Sequence, residues 1–373
     1  MRLASGERFA NLALPFSSQA VCAMTMQMSF FRYLKRALPL ALGAALVLPP
    51  TLPVAAQTAQ ETGFQGYLQL LAARARSEGV SERTIAIMTN GLTFNPRVIA
   101  LDRAQPGANP DAPPALGPYL RAHVDSARIS GGRNMYQTVA GLTPRIERQY
   151  GVPAPIILAI WGHETNYGSY KGDFDLARSL ATLAYEGRRR ELFANEFIAL
   201  LKMADRGVPR ARLTGSWAGA FGNPQFLPSV YLRLAQDDDG DGGADIWNSR
   251  ADTLASIANY FRDAGWRPGQ PWGVRASVPA DFNATSTVTR LDAPACPRVH
   301  ARHSAWKTVG EWRALGIAPL GAINDDVLAS LIEPDGRGNS AFLLTGNYRV
   351  ILNYNCSNYY ALSVGLLADE IAR

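Results

Sequence analysis

One carboxylate at the end of an apolar run is the first place where chemistry is legible in this chain. Ile160-Trp161-Gly162-His163-Glu164-Thr165-Asn166-Tyr167-Gly168 carries a single acid, Glu164, behind Ile156-Ile157-Leu158-Ala159. Further along comes Ser216-Trp217-Ala218-Gly219-Ala220-Phe221-Gly222-Asn223-Pro224-Gln225-Phe226-Leu227-Pro228, a stretch of small residues and aromatics with the amide Gln225. A proton donor held against a greasy helix face, opposite a loop built for close approach, is what cleavage of a sugar chain needs.

The spacing places that acid. Pro153 and Pro155 preset φ for a first helical turn, where a missing N–H costs nothing. The helix is then expected to run to Gly168, a residue suited to a left-handed cap. On a period of 3.6, Ile157, Ile160, Trp161 and Glu164 share one face, so the carboxylate lies on the buried stripe near the helix end. Desolvation and the negative end of the helix dipole both favour its neutral form, and a raised pKa is expected. The alternative is an acid at a frayed helix end reaching into water.

Other chemistries have less support. His163-Glu164 begins like the zinc motif H-E-x-x-H, but Tyr167 stands where the second imidazole belongs. Cys296, His300 and His303 have only faint metal-like spacing in a Pro- and Arg-rich stretch. No G-x-S-x-G elbow, Walker loop or dinucleotide fingerprint occurs.

The two segments resemble the catalytic and cleft-lining motifs of lytic murein transglycosylases of the membrane-bound B type. Further matches follow in the same order: Leu101-Asp102-Arg103-Ala104-Gln105-Pro106, an aspartate loop from Asp237, Ala258-Asn259-Tyr260-Phe261 with Gly265-Trp266, and Gly346-Asn347-Tyr348 through Tyr354-Asn355. The resemblance implies a mainly α (α+β) fold: a lysozyme-like helical catalytic core, an additional helical subdomain and a small β-containing subdomain. It implies cleavage of peptidoglycan glycan strands between N-acetylmuramic acid and N-acetylglucosamine, with Glu164 as acid and then base, closing a 1,6-anhydro ring. It further implies that Ser216 and Gln225 hydrogen-bond N-acetyl or ring oxygens, with Gly219, Ala220 and Gly222 giving the sugar room. Arg188 and Arg189 would grip peptide or lactyl carboxylates, although Arg190 leaves the register open by one. Tyr260 and Tyr354 would offer stacking faces, with Asn355 beside the second. Phe221 and Leu227 stand where the family commonly has methionine. A water-using muramidase on the same scaffold, with Asp173 or Asp175 as second acid, and a non-catalytic wall-binding protein remain the alternatives.

Composition agrees with an exported enzyme. The chain has 373 residues, 47% of them hydrophobic, and a formal charge of +6 that suits an anionic wall polymer. That charge would equally suit nucleic acid, but no aromatic-rich RNA motif or helix-turn-helix pattern accompanies it. Arg32, Lys35 and Arg36 precede a short apolar run over 37–48, and Val54-Ala55-Ala56 offers small residues for cleavage, so 1–56 reads as a signal region with a start at Met28 open. The run is too short for a stable membrane span, and no cysteine follows it for lipid attachment, so a periplasmic protein without stable membrane insertion is expected. Cys22 would leave with the signal, and Cys296 and Cys356 are then a candidate pair.

The organisation expected is an N-terminal helical part over 57–135, a catalytic core over 136–266, a small α/β subdomain over 267–330, and a segment 331–373 completing the core. Helices are expected over 64–78, 128–150, 176–183, 190–205, 253–264 and 359–372, a loop over 105–118, and a strand over 342–352. Asp237, Asp239, Asp241, Gly242 and the Gly243 carbonyl match the opening positions of an EF-hand-like calcium loop, with Asp245 at the ninth. Asn248 replaces the closing Glu, and by resemblance Asp252 closes the site instead. A structural Ca2+ site is expected there and no organic cofactor; a plain Asp/Gly turn is the alternative.

Overall fold

The computed structural model describes residues 54–105, 115–283 and 296–373. The basic and apolar parts of the expected signal and residues 106–114 of the expected loop lie outside the described residues. Helix α1 (Val54–Ser77) is followed by α2 (Glu82–Thr89), which Ser81 caps by accepting the Thr84 N–H, and by α3 (Pro96–Arg103). Then come α4 (Leu116–His123), α5 (Ser126–Thr138), α6 (Thr143–Tyr150) and α7 (Ala154–Thr165). After a two-residue strand β1 (Phe174–Asp175) follow α8 (Leu176–Glu186) and α9 (Arg190–Asp205). Strand β2 (Thr214–Gly215), α10 (Pro228–Leu234) and α11 (Arg250–Asp263) complete this part.

The remainder mixes strand and helix: β3 (Gly273–Ser277), α12 (Pro297–His300), β4 (Lys307–Thr308), α13 (Val309–Ala314), β5 (Ala318–Pro319), β6 (Leu328–Ile332) and β7 (Ala341–Leu344). Helices α14 (Gly346–Tyr354) and α15 (Asn358–Ala372) end it. The fold is mainly α with a small sheet, as expected. Strands β4-β6-β7-β3-β5 form one antiparallel sheet, with Gly273 opposite Leu344 and Ile332 opposite Phe342. One face packs on Val309, Trp312 and Ile317, a small core of its own. The expected boundary at residue 330 therefore falls inside β6, because β7, which pairs with both β6 and β3, is the central strand of the sheet.

Several other expectations change. The span 128–150 is two helices broken at Gly141-Leu142, not one. Leu116-Gly117-Pro118 already belongs to α4, because proline is tolerated in a first turn. The strand expected over 342–352 ends at Leu344: Thr345 caps a helix by accepting the Asn347 N–H, and the alternation continues only by coincidence. Cys296 and Cys356 form a disulfide, with Cα atoms 5.7 Å apart. Among the described residues no helix is long and apolar enough to cross a membrane.

Helix α7 is the axis of the larger core, packed by α5, α6, α11 and α15. Eleven of its twelve residues are buried, so it is not the one-striped helix the spacing suggested but a helix covered all round.

Candidate active site

The end of α7 is forced by three consecutive residues with positive φ: Asn166 at 50°, Tyr167 at 58° and Gly168 at 88°. The cap thus starts at Asn166, two residues before the glycine expected to carry it. Two non-glycine residues in this region are costly, and such strain persists only where surrounding contacts over-determine it. Those contacts are visible. Tyr167 Oη donates to the Arg128 carbonyl at 2.9 Å, and its ring fills the space that a Cβ at Gly162 would need, 2.6 Å away. Thr165 Oγ1 donates to the Asn223 carbonyl at 3.0 Å, tying the helix end to the Ser216–Pro228 stretch.

Glu164 is 5% exposed, which rules out the frayed, water-facing alternative. Its hydrogen bond comes from Tyr360 Oη on α15, which donates to Oε1 at 2.5 Å. Burial pushes the carboxyl up to about 8, and the Tyr360 hydrogen bond opposes that rise; no charged neighbour adds to either. At neutral pH the group therefore holds its proton. His163, beside it, is held well below its ordinary value by burial and is uncharged.

The Ser216–Pro228 stretch closes on itself. Ser216 accepts the Ala220 N–H at 2.9 Å through Oγ and donates its own backbone N–H to the Ala220 carbonyl at 2.7 Å, while Phe221 and Phe226 pair across a short bridge. Gln225, with φ of 52°, donates Nε2 to the Gly222 carbonyl at 2.8 Å and to the Lys171 carbonyl at 3.3 Å; its buried Oε1 takes no hydrogen bond. The glycines serve this packing more than a ligand. A Cβ at Gly219 would meet Leu180 at 2.5 Å, and one at Gly222 would meet Ile246 at 2.8 Å. At both glycines the space a Cβ would take is filled by the protein's own side chains.

Tyr354 and Tyr260 are brought together, ring centroids 4.7 Å apart, and both are nearly covered. Tyr354 Oη donates to the Pro224 carbonyl at 2.5 Å, tying the loop to α14, and Tyr260 Oη to the Asn353 carbonyl at 2.8 Å, tying α11 to α14, so neither ring is an open stacking face. Tyr354 nonetheless lies close enough to Glu164 to feel its charge. Asn355 is fully buried, and neither its Oδ1 nor its Nδ2 finds a partner among the described residues. The Cys296–Cys356 bridge fixes the neighbouring position.

Arg188 and Arg189 do grip a carboxylate, but it is the chain's own. Arg188 Nη2 lies 2.5 Å and Arg189 Nη2 2.6 Å from the two oxygens of Asp102, which is 1% exposed. A buried acid needs paired donors, and these two guanidinium groups supply them from the turn between α8 and α9. Arg190 instead lies over the Tyr67 ring.

In the acidic loop, carboxylate oxygens of Asp237, Asp239 and Asp252 lie within 4.8 Å of one another, a separation that one ion with oxygen ligands would span. Asp241 stands outside this trio and accepts the Gly243 N–H. Asp252 is fully buried and accepts backbone N–H groups of Asp238, Asp239 and Asp245. A cavity of about 540 Å³ opens beside the same loop, lined by Arg206, Arg212, Tyr231, Asp241, Asp245 and Trp247. None of the residues around Glu164 lines it.

Residues 63–369 match the model of the transglycosylase SLT domain. The chain belongs to that family. It is 31% identical over 260 residues to the membrane-bound lytic murein transglycosylase B of Escherichia coli, an alignment covering 68% of this chain and 66% of that relative. Among solved structures it is similar to SltB3 of Pseudomonas aeruginosa in complex with NAG-anhNAM-pentapeptide: 37% identity, TM-score 0.74, covering 83% of this chain and 79% of the other. It is also similar to the Escherichia coli lytic transglycosylase Slt35 in complex with calcium: 26% identity, TM-score 0.66, covering 84% and 93%. Sequence reasoning missed Tyr360, the one hydrogen-bond donor to Glu164 among the described residues, because nothing local marks it among the other tyrosines of the C-terminal segment.

Proposed function

We propose that this protein is a lytic transglycosylase that cleaves the β-1,4 bond between N-acetylmuramic acid and N-acetylglucosamine in peptidoglycan. The observation that carries the reading is one buried, protonated acid with no second acid acting on it among the described residues. A retaining glycosidase needs a carboxylate about 5 Å from the acid, and an inverting one about 6.5–9.5 Å away. Asp175 is engaged elsewhere: it caps α8 and is held by both Nη atoms of Arg210 at 2.9 and 2.6 Å. Asp173 is exposed.

Glu164 donates its proton to the glycosidic oxygen as the C1–O bond breaks and an oxocarbenium-like centre develops at the muramyl C1. The resulting carboxylate then takes the proton of that sugar's C6 hydroxyl as O6 bonds to C1. The ring closes, the acid is regenerated and no water is consumed. Tyr360 steadies the carboxylate between the two halves. The free amide of Asn355 and Oε1 of Gln225 are suited to N-acetyl groups, and Ser216 retains a hydroxyl proton to donate. Mass spectrometry of products from purified sacculi tests this: anhydro ends are expected, and ends heavier by one water would establish the muramidase instead.

We infer also that Asp237, Asp239 and Asp252, with the Gly243 carbonyl, would hold a calcium ion that braces the loop, since Asp252 is already oriented by three backbone donors. The basic and apolar pattern before residue 54 supports export to the periplasm, where the polymer lies.

A further inference from the structure

Tyr170 is an exposed aromatic, 59% of it facing solvent, beside a core where almost every other tyrosine near α7 is covered. Single exposed apolar groups need no explanation, but the placement of this one is unusual in being fixed. It sits on the segment between α7 and β1, six residues beyond Glu164. Its backbone N–H donates to the Thr165 carbonyl at 3.1 Å, one residue from the acid. The next residue is held twice, by Gln225 Nε2 on the Lys171 carbonyl at 3.3 Å and by Lys171 Nζ on the Trp247 carbonyl at 2.6 Å. One residue further, Gly172 has φ of +87°, and a Cβ there would fall 2.3 Å from the Gly215 backbone and 2.7 Å from the Ser216 nitrogen. The segment is thus clamped between the helix bearing the acid and the loop bearing Ser216 and Gln225, with the Tyr170 ring left exposed.

We propose that Tyr170 is a substrate-binding platform on which a pyranose ring of the glycan strand stacks, outside the pair of sugars that flank the broken bond. This rests on the proposed function and deepens it. A pyranose has a face of C–H groups and a rim of hydroxyls; a tyrosine has an apolar face and a polar tip, so one ring can cover the other while both rims stay wet. The clamped backbone means little order is lost when the sugar arrives. A platform beyond the reacting pair binds ground and transition states alike, so it acts on KM and only for strands long enough to reach it.

The test compares long glycan strands, freed of peptides by an amidase, with the shortest fragment the wild type cleaves. For Tyr170→Ala, KM on long strands is expected to rise about tenfold, the scale of one aromatic stack, while KM on the short fragment changes less than about twofold. Tyr170→Phe and Tyr170→Trp should retain wild-type KM on long strands. In the Glu164→Gln background, Tyr170→Trp should add an emission change when long strands bind and none with the short fragment. An unchanged KM on long strands, an equal loss on both substrates, or a silent tryptophan overturns the platform. A wild-type chain that yields no anhydro product overturns the proposed function itself.

Discussion

Glu164 and Glu196 make an instructive pair. Both are glutamates on helices of the larger core, 5% and 4% exposed, and burial raises the pKa of each. Glu196 on α9 has both oxygens occupied: Ser229 donates its Oγ–H at 2.6 Å and its backbone N–H at 2.9 Å, which closes the first turn of α10 where no side-chain cap exists. Glu164 has a single donor among the described residues, Tyr360. An acid whose acceptors are filled by the fold holds the fold; an acid left with one bond retains a proton and an oxygen for a substrate.

Substitutions should separate the two. Glu164→Gln is expected to lower kcat at least about 10³-fold, or about 4 kcal/mol in the barrier, because the same group serves both proton transfers. Its melting midpoint should not fall. The folded carboxyl is raised above its unfolded value of 4.5 to about 8, so its contribution is full below the unfolded value and is lost as pH rises through the folded one. Wild type should therefore lose up to a few kcal/mol, at about 1.4 per unit, relative to Glu164→Gln between those limits. Parallel melting curves across that range would contradict the buried acid.

Glu196→Ala should do the reverse: about 2–3 kcal/mol less stable by denaturant titration, since a buried N–H loses its acceptor, with kcat of the folded fraction within about threefold. A large kcat loss at unchanged stability would erase the contrast. Tyr360→Phe should lower kcat/KM about tenfold. Because the Tyr360 hydrogen bond lowers the Glu164 pKa, its removal should move the alkaline limb of the rate profile upward; a downward move would remove Tyr360 from this role. The smallest effect belongs to Asp252→Asn, which keeps the side-chain volume but weakens acceptance from three backbone donors. About 1 kcal/mol of stability should go, together with any rise in melting midpoint that calcium gives the wild type. A calcium response that survives the substitution would place the ion elsewhere.

Much of the site is readable in the sequence because it is local. Apolar spacing, Pro153 and Pro155 place Glu164 on a buried helix, and the aspartates at alternating positions announce a loop whose turn geometry follows from Asp and Gly alone. The glycines are visible there too, but not their purpose: they supply positive φ and close approach to Leu180 and Ile246, and neither neighbour is near in sequence. Arg188 and Arg189 are recognisable as carboxylate holders, whereas the identity of the carboxylate depends on where α3 packs.

The order of residues therefore decided which groups this protein has for chemistry and along which helix or loop each is carried, since φ preferences and side-chain periodicity act within a few residues. Which groups meet was decided only by the packed chain. Tyr360 reaches Glu164 across 196 positions, and Asn355 is left without a partner, because α15 lies along α7 and the Cys296–Cys356 bridge holds the segment before it. Long-range burial, which no local preference encodes, turned an ordinary glutamate into one that keeps its proton at neutral pH.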